Sequence, residues 1–313
     1  MPEQPEIADR TAVAVRRPRL PAPIRAMRPR QWVKNVLVLS APLAAGRLFE
    51  PGVILSAVLA FVAFCLVSAA VYLVNDVRDV EEDRLHPKKR LRPIAAGELS
   101  PRTAVIMAVI CAVAGLGIGF ATTIELGVTL AAYAIIQVVY SAFLKHYPVI
   151  DLAVVSSGFL LRAVAGGVAT AIPLSQWFLL VASFGSLFMV AGKRYSELKS
   201  LGVEAGTRKS LERYSESYLR FVWMLAAGTV LVSYCLWAFE NRGDAWLDVP
   251  WTALSIAPFT LALLQYALEI DAGTAGEPED IVLGDRILQA LGVLWLILIA
   301  IAVFGSKVPG VGT

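Results

Sequence analysis

The stretch that decides the fold of this chain covers residues 53–83 and is VILSAVLAFVAFCLVSAAVYLVNDVRDVEED. Its first part, 53–74, is almost wholly apolar and has about the length that a helix needs to cross a bilayer. Its second part, 75–83, follows without a break and carries five carboxylates. The stretch therefore predicts a transmembrane helix that leads directly into a cluster of acidic side chains.

Three of these carboxylates recur at a spacing typical of one helix face. If the helix continues at about 100° per residue, Asp76, Asp79 and Asp83 fall within roughly 60° of one another. Like charges repel in this arrangement unless a cation lies between them, and their oxygens suit Mg²⁺, which often binds substrate phosphates as well. We therefore predict a Mg²⁺–diphosphate site at the membrane surface, with these three residues as metal ligands. The alternative is a loop that is charged only because it is solvated.

The composition is that of an integral membrane protein. Of the 313 residues, 57% are hydrophobic and 17% are charged, and the mean hydropathy is +0.66, which is atypical of a soluble domain. Cys65, Cys111 and Cys235 lie in apolar runs and predict neither a disulfide nor a thiolate metal site. We predict an all-α polytopic membrane protein with nine transmembrane helices, at residues 32–48, 52–74, 102–121, 124–144, 150–171, 174–191, 219–240, 249–269 and 286–305.

The distribution of basic residues predicts the orientation. With the N-terminus in the cytoplasm, all but Arg47, Arg242 and Lys307 of the 28 Lys and Arg residues fall on the inner side or in the inner half of a helix. Such a bias is the usual mark of cytoplasmic loops, so we expect the active site at the cytoplasmic face. The expected division of the chain is a flexible cytosolic tail (1–27), a transmembrane catalytic domain (28–306) and a short outer tail (307–313).

A basic segment follows the carboxylates directly, at residues 84–92, where five of nine positions are Lys or Arg. Beside a metal site such a segment is suited to hold phosphate oxygens, since Arg can donate two parallel hydrogen bonds. The alternative is contact with anionic lipid. Lys88 and Arg92 are our candidates for substrate binding in this segment.

Polar residues inside the predicted spans give further candidates. Lys34 and Asn35 interrupt the first span and Arg162 lies within the fifth, where a polar or charged side chain is costly and indicates function. For Lys34 the alternative is that its ammonium group reaches the headgroup region. Tyr140 and Lys145, near the turn between the fourth and fifth spans, are lesser candidates.

The end of the sixth span carries a second charged group, formed by Lys193, Arg194, Tyr195 and Glu197. By its position we expect this group to face the Asp cluster across a common cavity, where its cations and hydroxyl would contact a second phosphate. Lys193 and Glu197 are one helical turn apart, so a simple ion pair between them is the alternative.

The segment from Asn75 to Asp83 matches the motif NDxxDxxxD, and the chain from Arg28 to Phe304 resembles the UbiA-type intramembrane prenyltransferase superfamily. The resemblance implies nine helices around a lipid-accessible cavity, Mg²⁺ as the cofactor, and Asn75, Asp76 and Asp79 as catalytic residues. Most members carry a second acidic motif, of DxxxD type, at the end of the sixth helix. This chain has Lys-Arg-Tyr-Ser-Glu there, at 193–197, which argues against a prenyl diphosphate held between two metal sites.

Further segments, at 28–35, 86–90, 92–97 and 192–197, resemble a phosphoribosyl-transferring branch of this superfamily. The resemblance implies transfer of 5-phosphoribose from phosphoribosyl diphosphate (PRPP) to decaprenyl phosphate or another polyprenyl phosphate, with release of diphosphate. It also implies a bacterial inner-membrane enzyme that supplies arabinan synthesis for the cell wall. The substrate-binding candidates are then Lys34, Asn35, Asp83, Lys88, Arg92, Tyr140, Lys145, Arg162, Lys193, Arg194, Tyr195 and Glu197.

The expected partners are PRPP, the polyprenyl phosphate and membrane lipid. Nucleic acid is not expected, and the sequence leaves open whether the chain forms a homo-oligomer. Two other functions remain compatible with the sequence. One is a transferase of the same superfamily with a prenyl diphosphate donor, and the other is a lipid or small-molecule transporter.

Overall fold

The computed structural model describes residues 20–87, 89–201, 213–241, 249–276, 281–282 and 284–304, and every regular element in these ranges is a helix. In chain order they are α1 (Ala22–Ala26), a 3₁₀ helix (Pro29–Leu39), α2 (Ser40–Ala44), α3 (Pro51–Arg78), α4 (Val80–Leu85), a 3₁₀ turn (Lys89–Leu91), α5 (Pro101–Thr122), α6 (Ile124–Val139), a π turn (Tyr140–Leu144), α7 (Pro148–Ala169), α8 (Gln176–Leu201), α9 (Glu216–Glu240), α10 (Trp251–Leu254), α11 (Ile256–Ala272) and α12 (Arg286–Phe304).

Eight helices of the described part are long and apolar enough to cross a membrane. The prediction of an all-α polytopic membrane protein is confirmed, but the number of nine transmembrane helices is not. The predicted span at 32–48 forms the 3₁₀ helix and α2, neither of which has the length of a span. Its apolar run is interrupted by Lys34, Asn35 and Pro42.

Local sequence fixes where the long helices begin. Ser100, Thr123 and Ser215 precede α5, α6 and α9, and each side-chain oxygen accepts a hydrogen bond from the backbone N–H three residues later. These bonds satisfy donors that the first helical turn leaves without an intrahelical partner. Proline opens α3, α5 and α7, where a missing N–H costs nothing. The first residues of these helices are thus set by the local sequence.

The most buried spanning helix is α3, and α12 is the least buried. α3 packs against α5, α6, α7 and the 3₁₀ helix, while α8 packs against α7, α9 and α11. The exposed side chains on the outer helices are largely apolar, such as Val109 and Val113 on α5, as expected for surfaces that face lipid. The carboxylate cluster therefore lies at the end of the central helix.

Contact between α7 and the 3₁₀ helix is made through a glycine. A Cβ atom at Gly166 would lie 1.9 Å from the carbonyl oxygen of Val38, so only glycine permits this approach. Asn35 and Arg162 lie about one turn before Val38 and Gly166, and their side chains meet. The close approach therefore joins the chain's first segment to the middle of α7.

Some predictions fall outside the described residues. Lys88 is among them, as are residues 1–19 of the predicted tail and the outer tail at 307–313. Within the predicted tail, α1 is ordered and its Ala26 is buried against α3 and α5. The division at residue 27 stays a prediction.

Candidate active site

Asp76 lies near the end of α3 and is buried, with 3% of its side chain exposed. Arg28 Nη2 donates to Asp76 Oδ1, and Arg92 Nη1 lies 3.2 Å from the same oxygen. Two guanidinium groups thus compensate one carboxylate, which offsets the cost of removing its charge from water. Arg28 comes from the segment before the 3₁₀ helix and Arg92 from the loop after α4, so two loops close over this carboxylate.

Arg92 also joins Asp76 to Asp83. Its Nη1 atom lies 2.5 Å from Asp83 Oδ2, and Asp83 is buried on α4. The helix does not continue as the sequence suggested, because α3 ends at Arg78 and Asp79 departs from helical geometry with φ −91° and ψ 14°. Asp76 and Asp83 nevertheless converge, since both reach the same guanidinium group.

Asp79 pairs with a different cation. Lys145 Nζ lies 3.3 Å from Asp79 Oδ1 and 3.9 Å from Glu82 Oε2. Lys145 follows the π turn, and its backbone N–H donates to the carbonyl of Tyr140, five residues earlier. The break at Asp79 therefore directs this carboxylate towards α6 and α7.

Asn75 directly precedes Asp76 on α3 and carries an amide oxygen. Its Oδ1 atom is buried and has no hydrogen-bond partner among the described residues. Buried polar atoms usually have a partner, so one without a partner calls for an explanation. An amide oxygen beside carboxylates is a suitable ligand for a hard divalent cation.

The carboxylates are at present held by cations of the protein. In the described part of the chain, no three His, Cys, Asp or Glu side chains converge on one point as metal ligands. Asp76 and Asp83 face Arg28 and Arg92, and Asp79 faces Lys145. These residue types fit a divalent cation, which would compete with the guanidinium groups for the carboxylate oxygens.

A second charged group joins α7 and α8. Asp151 is fully buried and receives hydrogen bonds from Arg194 at both oxygens, at 2.9 and 3.2 Å. Arg194 also lies 3.0 Å from Glu197 Oε2, and the Tyr140 hydroxyl donates to Asp151. Lys193 Nζ lies 3.9 Å from Glu197 Oε1. Arg194 is therefore held within the protein by two carboxylates.

Tyr195 is hydrogen-bonded to residues of α9 and α11. Its ring is fully buried, and its hydroxyl accepts a hydrogen bond of 2.6 Å from Arg220 and lies 3.3 Å from Asp271 Oδ1. The hydroxyl of nearby Tyr214 donates to the carbonyl of Pro148, and burial raises the pKa of Tyr214, so this donor stays protonated. This part of the group joins α8 to α7, α9 and α11.

Arg162 lies at the centre of a third polar group, in the middle of α7. Its Nε donates to Asn35 Oδ1 at 2.7 Å, its Nη1 to the carbonyl of Gly158, and its Nη2 to the Tyr133 hydroxyl at 3.1 Å. The guanidinium carbon also lies 5.0 Å from the centres of the Phe64 and Tyr133 rings. Each guanidinium nitrogen is thus hydrogen-bonded.

The π turn connects the first two groups. Tyr140 begins it and reaches Asp151, while Lys145 follows it and reaches Asp79. The structure thus brings together Asp76, Asp83 and Arg92, and separately Arg194, Glu197 and Tyr140. Lys34 is partly buried on the 3₁₀ helix.

Two residues of these groups, Arg28 and Tyr133, are not among the site residues that the sequence predicts. Arg28 lies in the segment 28–35 and directly precedes Pro29. Because proline often begins a helix, this position indicates that Arg28 lies at a helix start. Nothing in the sequence paired Arg28 with Asp76, 48 positions later. Tyr133 lies in an apolar helix where a tyrosine carries no clear signal of its own.

Most residues of the three polar groups lie in the part of the chain that matches one family model. A model of the UbiA prenyltransferase family matches residues 35–280. The chain belongs to the UbiA prenyltransferase family.

Similar proteins include two named decaprenyl-phosphate phosphoribosyltransferase. The one from Mycobacterium tuberculosis is 53% identical over 285 residues, which cover 90% of this chain and 93% of that protein. The one from Mycolicibacterium smegmatis is 52% identical over 295 residues, covering 90% and 92%. A solved UbiA homologue from Archaeoglobus fulgidus, bound to GPP and Mg²⁺, has a TM-score of 0.69 at 18% identity and covers 92% of this chain and 100% of its own. At that identity the likeness shows the fold.

Proposed function

We propose that this UbiA protein is a Mg²⁺-dependent phosphoribosyltransferase that moves 5-phosphoribose from PRPP to decaprenyl phosphate and releases diphosphate. The observation that carries the proposal is the identity of 53% over 90% of the chain with a relative of that name. The lipid product would supply arabinan synthesis for the cell wall. The geometry of the charged groups supports the same reaction.

The reaction must bring two anions together, and the charged groups offer cations for this task. Arg28, Arg92 and Lys145 surround the first carboxylates, and Lys193 lies at the end of α8 with 24% of its side chain exposed. Fixed positive groups offset the repulsion between a donor diphosphate and an acceptor phosphate and hold the reacting atoms in position. Arg194 is committed to Asp151, so we assign it to positioning α7 against α8.

Asp76, Asp79 and Asp83, with the Asn75 oxygen, would hold the metal ion. When bound, Mg²⁺ supplies positive charge that neutralises the leaving diphosphate. The unpartnered Asn75 oxygen and the convergence of Asp76 and Asp83 on one cation support this assignment. Arg92, the substrate-binding candidate of this loop, could then donate to phosphate oxygens.

The bond changes need no general base. An oxygen of the acceptor phosphate is already anionic, and it forms the new bond to C1 of the ribose as the bond from C1 to the diphosphate oxygen breaks. The electron pair of the broken bond leaves with the diphosphate. Attack from the face opposite the leaving group predicts inversion at C1.

The transfer is tested with purified protein in detergent, radiolabelled PRPP and decaprenyl phosphate, in the presence of Mg²⁺ or EDTA. We expect label in the lipid fraction only with Mg²⁺, and loss of transfer in Asp76→Ala. Glu81→Ala is the matched control, because Glu81 is exposed and pairs with Arg84. If no label moves, but a prenyl diphosphate donor is consumed, the protein is a prenyltransferase and the proposal is wrong.

We place the charged end of the molecule, where α3 and α8 end, in the cytoplasm. The support is the bias of Lys and Arg described above, together with the paired residues at that end. Leu85→Cys tests this, since Leu85 is 88% exposed beyond α3. An impermeant maleimide should label this cysteine only after the cells are permeabilised. Labelling of intact cells would place this end outside.

A further inference from the structure

The backbone of Arg28 has an unusual conformation. Its φ is +54°, in the left-handed region that residues other than glycine rarely adopt. The turn is fixed on both sides: the Arg28 N–H donates to the carbonyl of Arg25, and the Trp32 indole donates to the carbonyl of Met27 at 3.2 Å. Strain of this kind persists only where the surroundings enforce it, and it is often found at functional sites.

The conformation directs the guanidinium group of Arg28 to Asp76 and to an aromatic ring. The guanidinium carbon lies 4.9 Å from the centre of the Tyr72 ring, one turn before Asp76 on α3. The only carboxylate that Arg28 contacts among the described residues is Asp76, whereas Arg92 is also tied to Asp83. Arg28 can therefore leave Asp76 without breaking a second ion pair.

Arg28 contacts a carboxylate that would also be a ligand of the metal ion. Arg28 and Arg92 both approach Asp76 Oδ1, and Arg92 also contacts Asp83. The cluster thus has two cationic and two anionic side chains. A divalent cation on Asp76 would repel a guanidinium group at this distance. A guanidinium group that moves a short way over the Tyr72 ring keeps its contact with that ring and presents parallel donors suited to phosphate.

We propose that Arg28 is a further substrate-binding residue that exchanges partners. Without metal it neutralises Asp76, and when a metal–diphosphate complex binds, it turns from Asp76 to the diphosphate oxygens. The inference rests on the proposed function only in requiring that the donor is a diphosphate ester. It predicts that loss of Arg28 has opposite effects on the binding of metal alone and of metal with diphosphate.

The test measures Mn²⁺ binding to purified protein by electron paramagnetic resonance, with and without inorganic diphosphate. In Arg28→Gln we expect Mn²⁺ alone to bind about tenfold more tightly, because a competing charged hydrogen bond is gone, and diphosphate with Mn²⁺ to bind about tenfold more weakly. Arg25→Gln is the matched control, since Arg25 lies three residues before Arg28, on α1, but pairs with Glu98 at 3.0 Å. It should leave both affinities unchanged.

Changes of the same sign in both measurements, no change in either, or no Mn²⁺ binding by the unaltered protein would overturn the inference. If Arg28→Gln does not fold, Tyr72→Leu replaces it, and loss of the ring should weaken diphosphate binding while leaving Mn²⁺ binding unchanged. Failure of the proposed function is a separate result. The unaltered protein would then transfer no phosphoribose, while opposite changes in Arg28→Gln would still assign the exchange to Arg28.

Discussion

Asn35 Oδ1 accepts a hydrogen bond of 2.7 Å from Arg162 Nε, although 127 positions separate the two residues. Asn35 also donates to Cys65 Sγ at 3.1 Å on α3, so one amide joins α3 and α7. Arg162 has no carboxylate within ion-pair distance in the described part of the chain. Its charge is therefore stabilised by neutral oxygens and aromatic rings, and Asn35 supplies one of the shortest of these contacts.

Substitution of Asn35 should destabilise the protein. Asn35→Ala leaves Arg162 Nε buried without its acceptor, and we expect a loss of about 1–3 kcal/mol in the free energy of unfolding. Thermal unfolding in detergent measures the change. Asn241→Ala is the control, because Asn241 is an exposed asparagine at the end of α9 and should change the melting temperature little.

A double substitution separates this hydrogen bond from simple loss of packing. Once Arg162→Met has removed the charge, Asn35→Ala no longer strands a buried donor. The double variant should therefore lose at least about 0.5 kcal/mol less than the sum of the two single losses. Strict additivity would show that the contact contributes nothing of its own.

Gly166→Ala should be strongly destabilising. The added Cβ would lie 1.9 Å from the carbonyl oxygen of Val38, and a backbone atom cannot give way as the end of a side chain can. We expect a fall of roughly 5–10 °C in the melting temperature, as for an overpacked core. Gly228→Ala on α9 is the control, since nothing lies within 4 Å of its added Cβ. An unchanged melting temperature in Gly166→Ala would mean that α7 and the 3₁₀ helix do not pack as described.

The pair of Asp151 and Arg194 should be sensitive to the loss of either partner. Arg194→Gln leaves a fully buried carboxylate without its bidentate partner, and we expect a loss of about 3–5 kcal/mol in unfolding free energy. Arg47→Gln breaks an exposed pair with Glu50 and should have little effect, because water screens both charges. Equal melting temperatures of the two variants would contradict the assigned structural role of Arg194.

Asp83→Asn should reduce phosphoribosyl transfer, measured per folded molecule, by about 100-fold. It removes one of the two carboxylates that meet Arg92 and that would hold the metal ion. Loss even of a residue that only orients a metal ligand typically costs about 10- to 100-fold in activity. Initial rates at saturating Mg²⁺ measure the change. Glu81→Gln, an exposed neighbour on the same helix, should retain full activity. Comparable rates in the two variants would exclude Asp83 as a ligand.

Much of the fold could be predicted because apolar length alone identifies a membrane span. The start of α5 could be predicted from Ser100 and Pro101, and α3 from its run after Pro51. The first span was harder, since Lys34 and Asn35 reduce its apolar character, and the segment forms a 3₁₀ helix. No periodicity argument distinguishes a 3₁₀ helix from a short α-helix in a run of this composition.

The sequence predicts which kinds of residue form the site better than it predicts which of them pair with one another. The spacing of Asp76, Asp79 and Asp83 placed carboxylates together, yet it assumed one continuous helix, and the break at Asp79 turns that residue towards Lys145. Lys193 and Glu197 are near each other, as an i,i+4 pair should be. The pairing of Arg194 with Asp151 depends on how α7 and α8 pack, which local spacing does not specify.

The π turn at Tyr140–Leu144 contains one more residue than an α-helical turn needs. Deletion of a single residue there would rotate everything after it by about 100° relative to α6. The hydrogen bond of Tyr140 to Asp151 and the ion pair of Lys145 with Asp79 could then no longer form together. In evolutionary terms, insertion or deletion of one codon at this turn would change two charged contacts at once, which a point mutation would not do. Aligned relatives should accordingly differ in helix length here only when both partnerships change.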